Sequence, residues 1–150
     1  MDDLWTKIES EPVDVDPDQV ETTVLFVGDS GAGKSSLINS FLKASSTTQP
    51  KPTFALDYSF ARKKTSSSIS SSGGKSVAHV WELGGDINEP GLLDVPISIH
   101  TLSSLSVVVC CDLSKPHNVL KSVRKWGQVL REVLAKRFSA YESAFGKKFE

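Results

Sequence analysis

Eight residues, GDSGAGKS from Gly28 to Ser35, constrain the fold of this 150-residue chain more than any other part of it. They satisfy the pattern GxxxxGK[ST] and separate a β-branched, apolar run at 22–28 from the amphipathic segment KSSLINSFLKA at 34–44. A phosphate-binding loop needs this context, because it joins the end of a buried parallel strand to the first turn of a helix. The sequence therefore predicts a strand, a loop and a helix of an α/β protein.

Each part of this loop has a chemical role in binding phosphate. The glycines let the backbone curl so that successive N–H groups face one centre, where the helix N-terminus adds positive potential. The Lys34 ammonium can reach β- and γ-phosphates, and the Ser35 hydroxyl is a ligand for Mg²⁺. We therefore expect bound GTP/GDP or ATP/ADP with Mg²⁺. The expected phosphate-binding residues of the loop are Gly28, Asp29, Ser30, Gly31, Ala32, Gly33, Lys34, Ser35 and Ser36.

Three further strands and a long helix are predicted after the loop. The segments PTFALDYSFAR at 52–62 and VAHVWEL at 77–83 read as strands, and LSVVVCC at 105–111 has the composition of a buried one. From Asn118 onward, apolar residues recur every three or four positions, which predicts an amphipathic helix of up to about 40 Å. The serine-rich segment 63–76 is predicted to be a flexible loop, either a passive linker or a site of phosphorylation.

Composition limits the class of protein. With 39% hydrophobic residues, the chain can form one compact domain. No apolar run is long enough to span a membrane, and the acidic N-terminus lacks the basic residues of a targeting signal, so we expect a soluble intracellular protein. Cys110 and Cys111 are adjacent in a predicted strand and point to opposite faces, so we expect both to be free, buried thiols.

The net charge of −1 conceals a strong asymmetry along the chain. Residues 1–21 contain eight acids and one base, whereas residues 113–150 contain nine bases and three acids. We expect an acidic flexible arm at 1–21 and a basic helix near the C-terminus, each of which is either a solvated surface or a docking surface for a partner. The bases are not interleaved with stacking aromatic residues, so nucleic-acid binding is not expected.

The stretch HVWELGGD, residues 79–86, resembles the WDVGGQ turn of Arf-type GTPases. The resemblance implies that Gly85 meets the γ-phosphate, that Glu82 stands on the Mg²⁺ side of the site, and that Asp86 replaces the glutamine that positions water. An aspartate there adds negative charge beside the γ-phosphate and cannot orient water as an amide does. We therefore expect weak or absent hydrolysis and name no catalytic residue. Glu82 is alternatively a solvated residue at the end of a strand.

Thr53 is a further candidate ligand for Mg²⁺. It lies 19 residues after Lys34, about the distance at which Ras-like GTPases carry the switch threonine that closes over Mg²⁺ and the γ-phosphate. Pro52 and Thr53 are alternatively an ordinary start of the second strand. The expected metal ligands are Ser35, Thr53 and Glu82.

Four segments behind the phosphate loop, KPTFALDYSFARK, HVWELGG, DVPIS and VVVCCDLSKP, resemble the light intermediate chains of cytoplasmic dynein, particularly those of the dynein 2 branch. The resemblance covers about residues 22–118. It implies a Ras-like P-loop NTPase fold, three-layered with a mostly parallel central sheet, that acts as a structural motor subunit rather than a switch. It also implies dynein 2 heavy chain and other dynein subunits as partners, with indirect association with microtubules. The implied role is retrograde intraflagellar transport and cilium assembly, and the implied location is the cytoplasm, the cytoskeleton, and the cilium with its base.

The chain departs from a complete Ras-like domain at its end. The NKxD-type motif that reads the base would follow a fifth strand, whereas this sequence ends in or just after the long amphipathic helix, which corresponds to the third helix of a Ras-like domain. We therefore expect a partial domain at 22–150, truncated after the third helix, and predict neither guanine nor adenine specificity. A small GTPase switch of the Arf or Rab type, acting in membrane or ciliary trafficking, is the alternative function. A P-loop kinase is not favoured, because no arginine-bearing lid motif is found.

Overall fold

The computed structural model describes residues 20–42, 51–64, 75–85 and 90–145. The predicted arm up to residue 19, residues 65–74 of the predicted loop, and Asp86 lie outside this part. Four strands and two α-helices follow one another in the described part, with two short 3₁₀ helices before the last strand. Their bounds are β1 Val20–Gly28, α1 Lys34–Leu42, β2 Leu56–Lys64, β3 Lys75–Leu83, the 3₁₀ helices Pro90–Asp94 and Leu102–Ser104, β4 Leu105–Cys110, and α2 Pro116–Phe145.

The four strands form one mixed sheet with the order β2-β3-β1-β4. β1 is parallel to both β3 and β4, whereas β2 is antiparallel to β3. The predicted α/β class with a mostly parallel sheet is confirmed. Because β1 and β3 run in the same direction, they end on the same edge of the sheet, and the residues after Gly28 lie close to those after Leu83.

The two α-helices cover opposite faces of this sheet. Alternate residues of β1 point to different sides, so that Leu25 and Val27 pack with Trp126 of α2, while Phe26 packs with Ile38 of α1. Leu25 and Val27 are completely buried. Burial of each such side chain stabilises the fold by about 1.5–3 kcal/mol. The described residues thus form three layers, with a helix on each side of the sheet.

Three strand ends lie outside the ranges that the hydrophobic pattern predicted, and β2 begins only at Leu56, so Pro52 and Thr53 are not the start of the second strand. β1 begins at Val20 rather than at residue 22. β2 and β3 continue two residues into the predicted serine-rich loop, where Lys63 pairs with Ser76 and Lys64 with Lys75. The backbone hydrogen bonds of a ladder do not depend on apolar side chains, so a hydrophobic pattern misses such ends.

β4 is less buried than its apolar composition predicted. It lies at the edge of the described sheet, and its residues are half-buried or exposed, Val109 being 38% exposed. The burial indicated by the composition of β4 is therefore not found in the described part of the chain, because no described strand covers the outer side of β4. Cys110 and Cys111 are free as predicted, but both are half-buried rather than buried.

α2 is one continuous helix of 30 residues, which confirms the predicted amphipathic helix. Trp126, Leu130 and Val133 are buried on its inner side. Gly127 lies on the outer side, where an added Cβ would meet no atom within 4 Å, so this residue weakens the helix without interrupting it. Among the helices that the structure describes, none is long and apolar enough to cross a membrane.

A row of aromatic side chains crosses β2 and β3 on the face of the sheet that α2 also covers. Tyr58 packs against Trp81 with ring centroids 4.7 Å apart, and a 2.8 Å hydrogen bond links its hydroxyl to His79 Nδ1. Trp81 is half-buried and also packs against the core cluster around Leu25. This row therefore extends the α2-side core outward along the sheet.

Candidate phosphate-binding site

The predicted phosphate-binding residues lie together where β1 joins α1. They are Gly28 at the end of β1, Asp29, Ser30, Gly31, Ala32 and Gly33 in the loop, and Lys34, Ser35 and Ser36 in the first turn of α1. Gly31 and Gly33 have φ angles of 77° and 85°, a left-handed backbone that other residues rarely adopt. The Ala32 N–H donates a 3.2 Å hydrogen bond to the Asp29 carbonyl within the loop. The segment thus has the curled backbone that is typical of a phosphate-binding loop.

The Lys34 side chain folds back over the loop from the start of α1. The residue is only 5% exposed, and its ammonium Nζ donates to the carbonyl oxygens of Gly28 at 2.9 Å and Asp29 at 3.1 Å. A buried ammonium needs such acceptors, because burial removes its hydration. The carbonyl oxygens of the loop therefore fix the position of the one basic side chain that the motif supplies.

Ser35 and Glu82 meet at the same edge of the sheet. The Ser35 hydroxyl donates a 2.6 Å hydrogen bond to Glu82 Oε1, across 47 residues of sequence. The parallel pairing of β1 with β3, in which Phe26 pairs with Glu82, brings the two residues together. Glu82 is only 5% exposed, so its alternative interpretation as a solvated strand-end residue is wrong. The structure thus brings together two of the three predicted metal ligands.

Thr53 is placed beside this edge by its backbone. The carbonyl oxygens of Thr53 and Phe54 lie so close to Gly84 that an added Cβ there would be 2.8 Å and 2.9 Å from them. The Gly84 N–H donates a 2.7 Å hydrogen bond to the Ala55 carbonyl. Within the described residues, no hydrogen bond joins the Thr53 hydroxyl to Ser35 or Glu82.

The backbone of Gly85 packs directly onto the phosphate loop. A Cβ added to this buried residue would be 2.1 Å from the Ser30 nitrogen and 2.3 Å from the Asp29 carbonyl carbon. No side chain fits there unless the loop or the turn moves, so the close approach explains the need for glycine. The turn after β3 and the loop after β1 therefore form one continuous surface.

The side chain of Asp29 points to α2, a contact that the sequence did not predict. Its carboxylate Oδ1 accepts a 3.1 Å hydrogen bond from Trp126 Nε1 and lies 3.5 Å from Lys125 Nζ. The pKa of the Asp29 carboxyl is lowered, first by the nearby Ser122 hydroxyl and then by Trp126 and Lys125, whereas burial raises it. The buried Ser122 Oγ forms no hydrogen bond of regular geometry within the described residues, whereas the Trp126 N–H does bond to Asp29 Oδ1.

Comparison with known proteins identifies the family of the chain. The family model for dynein light intermediate chain (DLIC) matches residues 2–143. This chain belongs to the dynein light intermediate chain family. The resemblance of the four segments behind the phosphate loop to dynein light intermediate chains is thus confirmed.

The relatives of this family member include light intermediate chains of cytoplasmic dynein 1 and of cytoplasmic dynein 2. Cytoplasmic dynein 2 light intermediate chain 1 of Danio rerio is 40% identical over 97 residues, which is 65% of this chain and 25% of the relative. The Homo sapiens protein of the same name is 36% identical over 99 residues, 66% of this chain and 26% of the relative. Cytoplasmic dynein 1 light intermediate chain 1 of Mus musculus is 30% identical over 131 residues, 86% of this chain and 24% of the relative. The chain spans about a quarter of the length of the relatives it matches.

The donors at the sheet edge of this light intermediate chain fit a magnesium ion. Ser35 Oγ and Glu82 Oε1 are oxygen atoms, the donor type that Mg²⁺ accepts, and they lie within hydrogen-bond distance of each other. Mg²⁺ prefers one or two carboxylates together with phosphate oxygens and water, rather than a cage of protein ligands. The described residues contain no cluster of three or more histidine, cysteine, aspartate or glutamate side chains that could hold a metal.

Proposed function

We propose that this chain is a noncatalytic nucleotide-binding subunit of the cytoplasmic dynein 2 motor. The observation that carries the proposal is the junction of Lys34, Ser35 and Glu82, where a buried ammonium, a hydroxyl and a buried carboxylate converge at the curled loop. A cation, a magnesium ligand and a glycine-rich backbone at a helix N-terminus are the groups that a nucleoside di- or triphosphate needs. Membership of the light intermediate chain family supports the motor part of the proposal.

The proposed fold is that of a Ras-like P-loop domain. The strand–loop–helix unit, the parallel pairing of β1 with β3, and the antiparallel β2 support this assignment. In the proposed bound state, the Lys34 ammonium leaves at least one loop carbonyl and contacts phosphate oxygens. Ser35 and Glu82 would hold Mg²⁺, which offsets negative charge on the phosphates.

The proposed lack of catalysis follows from the chemistry of the turn after β3. Glu82 already reaches Ser35 through a direct hydrogen bond, with a side chain one methylene longer than aspartate. The sequence places Asp86 directly after Gly85, which packs on the loop. A carboxylate there opposes the charge relief that phosphoryl transfer needs, and it cannot position water as an amide does.

The proposed assembly is with dynein 2 rather than dynein 1. The dynein 2 relatives are 36–40% identical to this chain, whereas the dynein 1 relatives are 30–32% identical. On this basis the partners are the dynein 2 heavy chain and other dynein subunits, with indirect microtubule association. The proposed location is the cytoplasm and cytoskeleton, including the cilium and ciliary base, in retrograde intraflagellar transport.

Nucleotide binding is tested by isothermal titration of the purified chain with GDP, GTP, ADP and ATP in Mg²⁺. We expect the wild type to bind at least one of them and Lys34→Ala to bind none. Lys121→Ala removes an exposed lysine of α2 and is the matched control for charge. Absence of binding by a folded wild type would overturn this part of the proposal, and single-turnover hydrolysis at an ordinary GTPase rate would favour the switch alternative.

Assembly is tested by tagging the protein at its own locus in ciliated cells, as wild type and as Lys34→Ala. Mass spectrometry of the co-purified proteins should identify the dynein 2 heavy chain with the wild type. Heavy chain with both proteins would make nucleotide dispensable for assembly, and its loss with Lys34→Ala would make nucleotide a requirement. Regulators or membrane effectors without heavy chain would contradict the motor assignment.

A further inference from the structure

An aspartate in a phosphate-binding loop poses an electrostatic problem. Asp29 follows Gly28 directly, so its carboxylate belongs to the loop that we propose to bind phosphate. Two like charges about 4–6 Å apart repel each other appreciably in a partly buried site. A freely rotating Asp29 side chain would therefore weaken the binding of any phosphate.

α2 supplies the groups that hold this carboxylate on the side of the loop that faces α2. Trp126 donates its indole N–H to Asp29 Oδ1 at 3.1 Å, and Lys125 Nζ lies 3.5 Å from the same oxygen. Trp126 is only 1% exposed and packs with Leu25 and Val27 on the sheet, so its N–H has a fixed direction. The Lys125 ammonium lies 5.0 Å from the centre of the Trp126 ring, which favours its position beside the carboxylate.

The backbone of Asp29 is held by a different set of groups. Its carbonyl oxygen accepts hydrogen bonds from Lys34 Nζ at 3.1 Å and from the Ala32 N–H at 3.2 Å. Its carbonyl carbon lies against Gly85. Asp29 thus connects three elements. Its side chain contacts α2, its carbonyl oxygen accepts from Lys34 in the first turn of α1, and its peptide lies against the turn after β3.

We propose that Asp29 is a positioning residue, held by the Trp126 N–H so that the phosphate loop keeps its curvature while the carboxylate stays away from the bound phosphate. The inference rests on the proposed nucleotide-binding function. It gives α2 a defined part in the affinity for nucleotide, although α2 contributes no residue of the phosphate-binding motif. The substitution Trp126→Phe keeps an aromatic ring in the core and removes the N–H donor together with part of the indole, so a control for lost packing accompanies it.

The inference predicts that the effect of removing the Asp29 charge depends on Trp126. In the wild type, Asp29→Asn retains an oxygen that can accept from the indole N–H, so the affinity of this single variant is the reference for the double variant. In Trp126→Phe, the released carboxylate should weaken binding about tenfold, the effect expected when a hydrogen bond to a charged group is lost. Asp29→Asn added to Trp126→Phe should restore most of that loss, because the repelling charge is gone.

The experiment measures the dissociation constant of the best-binding nucleotide with Mg²⁺ for the whole chain. It compares the wild type, Asp29→Asn, Trp126→Phe and their double variant, at low and at high salt. Trp81→Phe is the matched control, since Trp81 packs against the same core cluster and points its ring at Tyr58. Melting temperatures of the two tryptophan variants then separate general loosening of the core from loss of the Asp29 contact.

The outcomes distinguish this inference from the proposed function. Restored binding in the double variant, with Trp81→Phe close to wild type, supports the positioning role. Two results overturn the positioning role alone, provided that the wild-type protein binds nucleotide. One is that the effects of Asp29→Asn and Trp126→Phe on the dissociation constant are additive, and the other is that Trp81→Phe and Trp126→Phe lose equal affinity. A wild type that binds no nucleotide overturns the proposed function and the positioning role with it.

Discussion

The hydroxyl of Ser35 and the carboxylate of Glu82 are 2.6 Å apart, which joins the first turn of α1 to the end of β3. Hydrogen bonds to an ionised acceptor are shorter and stronger than those between neutral groups. Both residues were predicted to face a metal ion, and their direct hydrogen bond aligns the two elements. The contact makes the stability of the sheet edge depend on a pair of residues of the candidate site.

Replacement of Glu82 by alanine should therefore destabilise the protein. The variant removes the acceptor of the Ser35 hydroxyl and leaves a void at a buried position, so we expect a loss of about 1–3 kcal/mol in the free energy of unfolding. Urea denaturation followed by circular dichroism measures it. Glu132→Ala, which removes an exposed carboxylate of α2, is the control and should change stability by less than about 0.5 kcal/mol. Equal stability of the two variants would contradict the structural importance of the Ser35 contact.

Two glycine-to-alanine substitutions should have opposite effects. At Gly85 the added methyl group would be 2.1 Å from the Ser30 nitrogen, so Gly85→Ala should displace the loop, lower stability by about 1–3 kcal/mol and weaken nucleotide binding. At Gly127 the methyl group meets no atom within 4 Å, so Gly127→Ala should stabilise α2 by about 0.5–1 kcal/mol. Thermal and urea unfolding of both variants check the signs. A neutral Gly85→Ala would mean that the turn and the loop move apart easily in solution.

The lowered pKa of Asp29 predicts a pH dependence of stability with a definite sign. A carboxyl whose folded-state pKa lies below its unfolded value stabilises the fold above that value, which is near 3.8 here. This contribution is lost as the pH falls through the lower, folded-state pKa. Unfolding free energies of the wild type and Asp29→Asn, measured between neutral pH and about pH 3, should therefore converge at the acidic end. A difference that stays constant with pH would show that the carboxylate gains nothing from α2.

The thiol of Cys110 should react slowly with alkylating reagents. Burial raises the pKa of this thiol, while the charge of Lys34 lowers it and the neighbouring Cys111 and Glu82 raise it further. Because the thiolate is the nucleophile, the Cys111→Ser variant should react with iodoacetamide at mildly alkaline pH more slowly than a free cysteine. Lys34→Ala in that background should slow the reaction again, since the lowering charge is removed. A faster reaction than free cysteine would show that Cys110 is exposed and activated.

The local parts of this architecture were predictable from sequence, because they depend on neighbours in the chain. The loop from Gly28 to Lys34 has a fixed spacing, and the long amphipathic helix has a repeating pattern that spans many turns. Strand order is different, since parallel strands are paired by crossovers that leave no signature in either strand. The composition of β4 indicated burial, but its place at the edge of the described sheet decides its exposure.

The contacts that complete the site could not be predicted from its motif. Glu82 was recognised by its resemblance to a known turn, yet only the register of β3 shows that it is buried beside Ser35. The partner of Asp29 lies 97 residues away, on a helix where an apolar periodicity marks Trp126 merely as a core residue. A hydrophobic pattern carries no information about the direction of an indole N–H, so this hydrogen bond had no sequence signal.

The loop after β1 follows directly on the strand to which both clusters of the hydrophobic core are attached. Leu25 and Val27 anchor it to one helix, and Phe26 between them anchors it to the other. A ligand that binds this loop only in the folded state would consequently stabilise both hydrophobic layers together, by an amount set by its affinity and its concentration. Conversely, a relative that lost the ligand would need tighter packing in these layers to remain equally rigid. In such a subunit a nucleotide would act as a permanent part of the architecture, comparable to a structural metal in a small domain.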